Sequence, residues 1–321
     1  MNRRTLLGAL ALAPLARPAL AQSGWPDRSL RIVVPFAPGS FTDISARLVA
    51  NEMSGPLGQQ VIVENRGGAG GTLGATAVVR SAPDGYTMLL TDNSLAISPG
   101  LYPNLPFDPL KDLQQVSQIA TSPSILLVRP GLGPKTLAEL VALAKQKPGE
   151  ISFGSGGQGS SAHLAMELLL NVAGIRALHV PFRGVAAAIQ EVISGRVDMA
   201  IASLASGVAH VRSGALLGIA VSGDARNATL PDVPTFAQAG QPGYTMSYWW
   251  GIAVPSATPA PVVARLNREV VAACEKPALR EAFARSAAVP VTSTPEAMTA
   301  FLTRDVALWK EVITRAGVRV E

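Results

Sequence analysis

Short runs of apolar and β-branched residues alternate along this chain with stretches whose apolar positions recur at helical spacing. The runs predict strands over Leu30–Pro35, Val61–Glu64, Thr87–Thr91, Ile125–Val128, Ile151–Phe153, Leu178–Phe182, Met199–Ala202, Leu216–Val221 and Trp249–Val254. The periodic stretches predict helices over Thr42–Met53, Gly71–Ser81, Thr136–Lys145, Ser161–Val172, Ala186–Ser194, Pro261–Cys274, Pro277–Ser286 and Pro295–Ala316, the last with a possible interruption. Thr136 with Glu139 forms a capping box, and Pro261 and Pro277 suit first helical positions. Strand–helix alternation of this kind argues for an α/β fold of mostly parallel sheets with crossover helices.

The alternation breaks twice. After Ile125–Val128 comes Arg129-Pro130-Gly131, and the chain returns through Tyr248-Trp249-Trp250-Gly251 before Pro255, Pro259 and Pro261. These breaks predict a discontinuous first lobe, residues 22–124 with 249–321, and a continuous second lobe, residues 125–248. Two lobes joined by two adjacent strands can hinge on a ligand.

Two segments share one design. Pro35-Phe36-Ala37-Pro38-Gly39-Ser40-Phe41-Thr42-Asp43 and Gly154-Ser155-Gly156-Gly157-Gln158-Gly159-Ser160-Ser161 each link an apolar strand to an amphipathic helix through a turn rich in glycine and hydroxyls. A helix start presents unpaired N–H groups and partial positive charge, so it attracts anions. Glycine admits close backbone approach, and Ser or Thr adds donors. One such segment on each lobe predicts a pocket for one small anion.

Composition narrows the function further. Met1–Ala21 reads as a cleavable export signal: Arg3-Arg4, an apolar stretch over Thr5–Leu15, and Ala19-Leu20-Ala21 before Gln22. Paired arginines suit either the secretory or the twin-arginine route. Loss of Arg3, Arg4 and Arg17 lowers the formal charge from +5 to +2, and no basic stripe appears, so nucleic acid is not the expected partner. The single cysteine, Cys274, sits in a helical pattern and reads as a buried apolar residue. The charge-free run from Val233 to Ala264 is broken by five prolines and three glycines, which excludes a spanning helix.

Gly154, Gly156 and Gly159 match G-x-G-x-x-G after a strand. The next strand, however, ends in Pro181-Phe182-Arg183 without the acid that a dinucleotide ribose requires. No G-x-S-x-G elbow is present, and His163, His179 and His210 are too scattered for a metal site and read as structural. Asp43, in a first helical turn, reads as a brace for the Pro38–Thr42 loop, with contact to the ammonium of an amino-acid ligand as the alternative. Tyr248, Trp249 and Trp250 read as hinge-strand core, with a pocket wall as the alternative. Neither a cofactor nor a catalytic set is expected.

The segment Pro35-Phe36-Ala37-Pro38-Gly39-Ser40-Phe41-Thr42-Asp43-Ile44-Ser45-Ala46-Arg47 resembles the opening motif of Bug-type receptors, the extracytoplasmic substrate-binding proteins of tripartite tricarboxylate transporters. The resemblance continues through Val63-Glu64-Asn65-Arg66, Gly68-Ala69-Gly70-Gly71, Pro83-Asp84-Gly85-Tyr86-Thr87, His179-Val180-Pro181-Phe182-Arg183-Gly184 and Leu230-Pro231-Asp232-Val233-Pro234-Thr235. It implies a two-lobed type II periplasmic-binding-protein fold that closes on a small carboxylate, held mainly by N–H groups, hydroxyls and water. The family's second glycine is Ser40 here, followed by bulky Phe41, which predicts a narrowed or reshaped floor of the first loop.

The expected function is therefore an exported, monomeric receptor that delivers a small organic acid to transporter membrane subunits. Phe36, Gly39, Ser40 and Thr42 are expected on one side of the ligand, and Ser155, Gly159, Ser160 and Ser161 on the other. Ser94 and Ser203, after their strands, are further candidates. The alternatives are a periplasmic hydrolase of small esters using Ser155 or Ser160, and a sensory partner of a membrane kinase.

Overall fold

A computed structural model describes residues 24–316 and Val318. The expected signal segment, Met1–Ala21, lies outside the described residues. The first part of the chain forms β1 (Leu30–Val34), α1 (Phe41–Leu57), β2 (Val61–Asn65), α2 (Thr72–Val79), β3 (Thr87–Asp92), α3 (Asn93–Leu101) and β4 (Leu113–Val128). Next come α4 (Leu137–Gln146), β5 (Ser152–Ser155), α5 (Ser161–Ala173), β6 (Leu178–Pro181), α6 (Val185–Ile193), β7 (Met199–Ser203), α7 (Leu204–Arg212) and β8 (Leu217–Val221). The chain then returns as β9 (Ser247–Pro255), followed by α8 (Ala260–Glu275), α9 (Pro277–Arg285), β10 (Val289–Pro290) and α10 (Pro295–Ala316).

The strands form one curled mixed sheet in the order β2-β1-β3-β9-β4-β7-β5-β6, with β8 and β10 also paired to β4. Its ends are parallel, β1 with β2 and β3, and β5 with β6 and β7. Each parallel pair needs a crossover, and the helices supply it. The middle is antiparallel, because β4 and β9 carry the chain out and back. The sixteen-residue β4 changes partners along its length. Leu113–Pro123 pair with β9, whereas Ser124–Val128 pair with β7 and β8.

The sequence pattern finds only the last four residues of β4. Its first part reads Leu113-Gln-Gln-Val-Ser-Gln-Ile-Ala-Thr-Ser-Pro123, and its register slips between Gln115 and Ser117 and again between Gln118 and Ala120. Bulges break the period of two, and buried glutamine and serine hide the apolar face. α3, which includes Pro99, also escapes the pattern. α10 runs without interruption.

One core cluster follows the sheet from Ile32 and Leu89 through Trp250 to Phe153, and a smaller one surrounds Ile125, Leu127 and Val192. Cys274 is buried, as expected. The 233–264 run resolves into turns, β9 and the start of α8, and among the described residues no helix is long and apolar enough to cross a membrane.

Candidate ligand-binding site

The first loop leaves β1 at Pro35 and enters α1 at Phe41. Gly39 takes φ +100°, a conformation open to glycine and costly for other residues. Asp43, 4% exposed, braces this loop. Its carboxylate accepts the Gly39 N–H at 3.3 Å, two Arg47 guanidinium donors at 3.1 and 2.9 Å, and the Asn65 amide at 3.0 Å. Burial pushes its pKa up, but the hydrogen bonds from Arg47, Asn65 and Gly39 outweigh that and hold it below the usual range. The loop role expected of Asp43 is what the geometry shows.

Ser40 stands at the N-cap of α1, yet its hydroxyl makes no cap bond and is buried without a partner. The neighbouring Phe41 turns away from the ligand side. It packs edge-on against Trp250 (4.6 Å between ring centres) and Phe283 (5.2 Å) at 1% exposure. Phe41 therefore does not itself line the cavity. The side chain at the first position of α1 points into the core, whereas its neighbours Ser40 and Thr42 edge the cavity.

The second loop leaves β5 at Ser155 and enters α5 at Ser161. The Ser160 hydroxyl caps α5 by accepting the His163 N–H at 3.3 Å. The first N–H groups of α5 have no acceptor within the helix. Gly159 takes φ +79°, and a Cβ there would lie 2.3 Å from the Tyr102 hydroxyl oxygen. The Gly159 N–H donates to His163 Nδ1 at 3.2 Å, so that imidazole packs on the loop, a structural role.

The two loops meet. Ala37 N–H donates to the Arg183 carbonyl (3.2 Å), Phe41 N–H to Ser206 Oγ (3.2 Å), and the Tyr102 hydroxyl to the Gln158 carbonyl (2.9 Å). Between them lies a cavity of about 30 Å³. That is room for a water molecule or two, so an organic acid requires the loops to part.

Six of the ten expected residues line this cavity: Phe36, Ser40 and Thr42 on one side, and Ser160, Ser161 and Ser203 on the other. The other four stand off it. Gly39 shapes its loop against Ala186, and Gly159 abuts Tyr102. Ser94 lines a small adjacent pocket behind Asp92. Ser155 is fully buried, and its hydroxyl binds both the carbonyl and the N–H of Gly157. It also lies 2.6 Å from His179 Nε2, a serine–histidine contact of the kind nucleophilic catalysis needs. However, His179 is stacked between Phe153 and His163, and burial, with the nearby His163, lowers its pKa to about 4. Neither group reaches the cavity.

Asp92, Ser206, Tyr248 and Trp250 also line the cavity, and sequence reasoning did not select them as site residues. Asp92 carries the most chemistry. It ends β3, is 3% exposed, and accepts the Ser94 N–H at 2.9 Å as well as the Ser94 hydroxyl. Burial raises its pKa to about 6 against the hydrogen bonds of Ser94 and Ser161. Its position at the carboxyl end of a strand was the available signal. Trp250, on β9, donates its indole N–H to Thr42 Oγ1 at 3.0 Å and so fixes that hydroxyl. Among the described residues no lysine, arginine or histidine lines the cavity. Any anion here would rest on helix starts and hydroxyls.

Residues 45–318 match the family model described as the tripartite tricarboxylate transporter family receptor. BugT of Bordetella pertussis is 35% identical over 327 residues, covering the whole of both chains. The structure of the periplasmic binding protein BugD superposes with a TM-score of 0.89 at 33% identity, over 92% of this chain and 100% of that one. MatC from Rhodopseudomonas palustris, with bound malate, gives 0.88 at 32% identity over 90% and 100%. The periplasmic-binding-protein-like α/β fold and these matches together establish that the chain belongs to the tripartite tricarboxylate transporter receptor family, the Bug-type solute-binding proteins.

Proposed function

We propose that this protein captures a small dicarboxylate or hydroxycarboxylate in the cavity between the Ser40 and Ser160 helix starts and hands it to transporter membrane subunits. The observation that carries the reading is the cavity itself: two facing helix starts and six serine and threonine side chains, with Asp92 the one acid and, among the described residues, no basic side chain. MatC, similar over nearly its whole length, holds malate. The reading makes the protein a monomeric receptor and not an enzyme. The buried Ser155–His179 contact, away from the cavity, supports that choice over ester hydrolysis.

The lobes we propose are residues 22–124 with 249–321, and residues 125–248. The change of partner along β4 at Pro123–Ser124 supports a hinge there and beside Ser247. Export with cleavage after Ala21 into the periplasm completes the proposal, in keeping with a family of periplasmic receptors.

A thermal-shift screen of mono-, di- and tricarboxylates, hydroxy acids, amino acids and aromatic acids tests it. A ligand at about a hundred times its Kd adds about 2.7 kcal/mol of stability. Where the ligand-free protein is first shown to be open in solution, small-angle scattering should then show a smaller radius of gyration with ligand. Failure of every carboxylate at millimolar concentration to stabilise the protein defeats the proposal.

A further inference from the structure

β9 has a second face. Along it Trp250 faces the carboxylate cavity, Trp249 faces the opposite side, and Tyr248 borders both. On that opposite side lies a cavity of about 530 Å³, large enough for a compact organic molecule. One wall comes from α5 and the segment before β9, through Leu168, Val172 and Met246. The other comes from β9 and α10.

The chemistry of the second wall is specific. Trp249, Phe301 and Trp309 supply aromatic surface, with Trp249 and Phe301 edge-on at 5.5 Å. Among them stands Asp305, whose carboxylate accepts the Trp249 indole N–H at 2.7 Å. Among the described residues it is the only charged side chain lining the cavity, and no described lysine, arginine or histidine there neutralises it. A carboxylate beside aromatic faces attracts an organic cation twice, by charge and by the ring quadrupoles. It repels the anions that suit the other cavity.

We propose that this rear cavity is a second binding site, for a small aryl- or alkylammonium ion, with Asp305 as counter-ion and Trp249, Phe301 and Trp309 as walls. The proposal stands whether or not the first cavity takes a carboxylate. Because its walls come from both sides of β9, an occupant would bridge the parts of the chain that β4 and β9 connect. Burial raises the pKa of Asp305 to about 6, so the group is ionised at a working pH of about 8.

The four tryptophans provide the assay. Indole N–H resonances of the full mature protein are followed by NMR during titration with 2-phenylethylammonium chloride, and separately with neutral 2-phenylethanol. The expected result is movement of the Trp249 and Trp309 signals, with Trp25 and Trp250 still. The ammonium should bind at least about tenfold more tightly than the alcohol, a difference of about 1.4 kcal/mol. Asp305→Asn should abolish that preference while the alcohol still binds. The proposal is overturned if no signal moves by about 10 mM, if only Trp25 or Trp250 moves, or if ammonium and alcohol bind alike. A folded Asp305→Asn protein that keeps the preference also overturns it. Should that variant not fold, the two ligands compared on the native protein still decide.

Discussion

The orphaned hydroxyl of Ser40 gives the sharpest test of the carboxylate cavity. At the N-cap of a helix, serine to alanine ordinarily costs about 0.5–2 kcal/mol, because the side chain accepts an N–H. Ser40, 3% exposed, makes no such bond, and its buried Oγ has no partner among the described residues. Ser40→Ala therefore removes an unsatisfied buried polar atom, worth about 1–3 kcal/mol when left unpaired, and should leave the melting temperature of the ligand-free protein unchanged or raised. Binding should respond in the opposite direction. A hydroxyl donating to a charged carboxylate contributes about 1.5–3 kcal/mol, so its loss should weaken affinity by about 10- to 150-fold. Differential scanning calorimetry gives the first quantity, and isothermal titration with the acid found by screening gives the second. A drop of several degrees in melting temperature would show that Oγ has a structural partner. Unchanged affinity in a stable variant would remove Ser40 from the site.

Three further outcomes follow from the same geometry. Ser160→Asp keeps a good cap for the His163 N–H but adds a carboxylate to the cavity that already holds Asp92. Like charges about 4 Å apart repel by about 4 kcal/mol at an effective dielectric of 20, and half of that already exceeds a tenfold loss of affinity, with Ala225→Asp on an exposed loop as the charge control. Asp92 has its pKa raised from 3.8 to about 6, so its contribution to stability falls as pH rises from about 4 to 6 and is constant above that. The same ionisation should weaken carboxylate binding by the native protein relative to Asp92→Asn as pH rises through about 6. A ratio of affinities that stays flat with pH would contradict it, and taking the ratio cancels the titration of the ligand itself. Burial raises the Cys274 pKa to about 12 at 2% exposure, so a thiol reagent should label it only on unfolding, and rapid labelling of the native protein would refute that burial.

What the sequence determined was local. The nearly continuous apolar runs of Leu30–Val34 and Met199–Ser203 and the helical period of Ser161–Ala173 were visible, because a strand buried on both faces and a helix buried on one impose them directly. The glycine- and hydroxyl-rich turns were legible too, since a helix start has unpaired N–H groups whatever surrounds it. The role of Asp43 followed from its place in a first turn, and its partners Gly39 and Arg47 lie four residues away on either side.

Tertiary structure decided everything that depends on distant pairing. That Phe41 enters the core rests on Trp250 and Phe283, more than two hundred residues away. The glutamine- and serine-rich start of β4 is a strand because β9 pairs with it, not because of its own alternation. Asp92 became a cavity residue only when the ends of β3 and β7 and the start of α5 were brought together. Trp249 and Trp250 differ by one position, yet they serve cavities on opposite faces of one strand. A sequence shows that such side chains alternate. Which face meets the Ser40 and Ser160 hydroxyls and which meets Asp305 depends on helices contributed from elsewhere in the chain, whose approach no local pattern encodes.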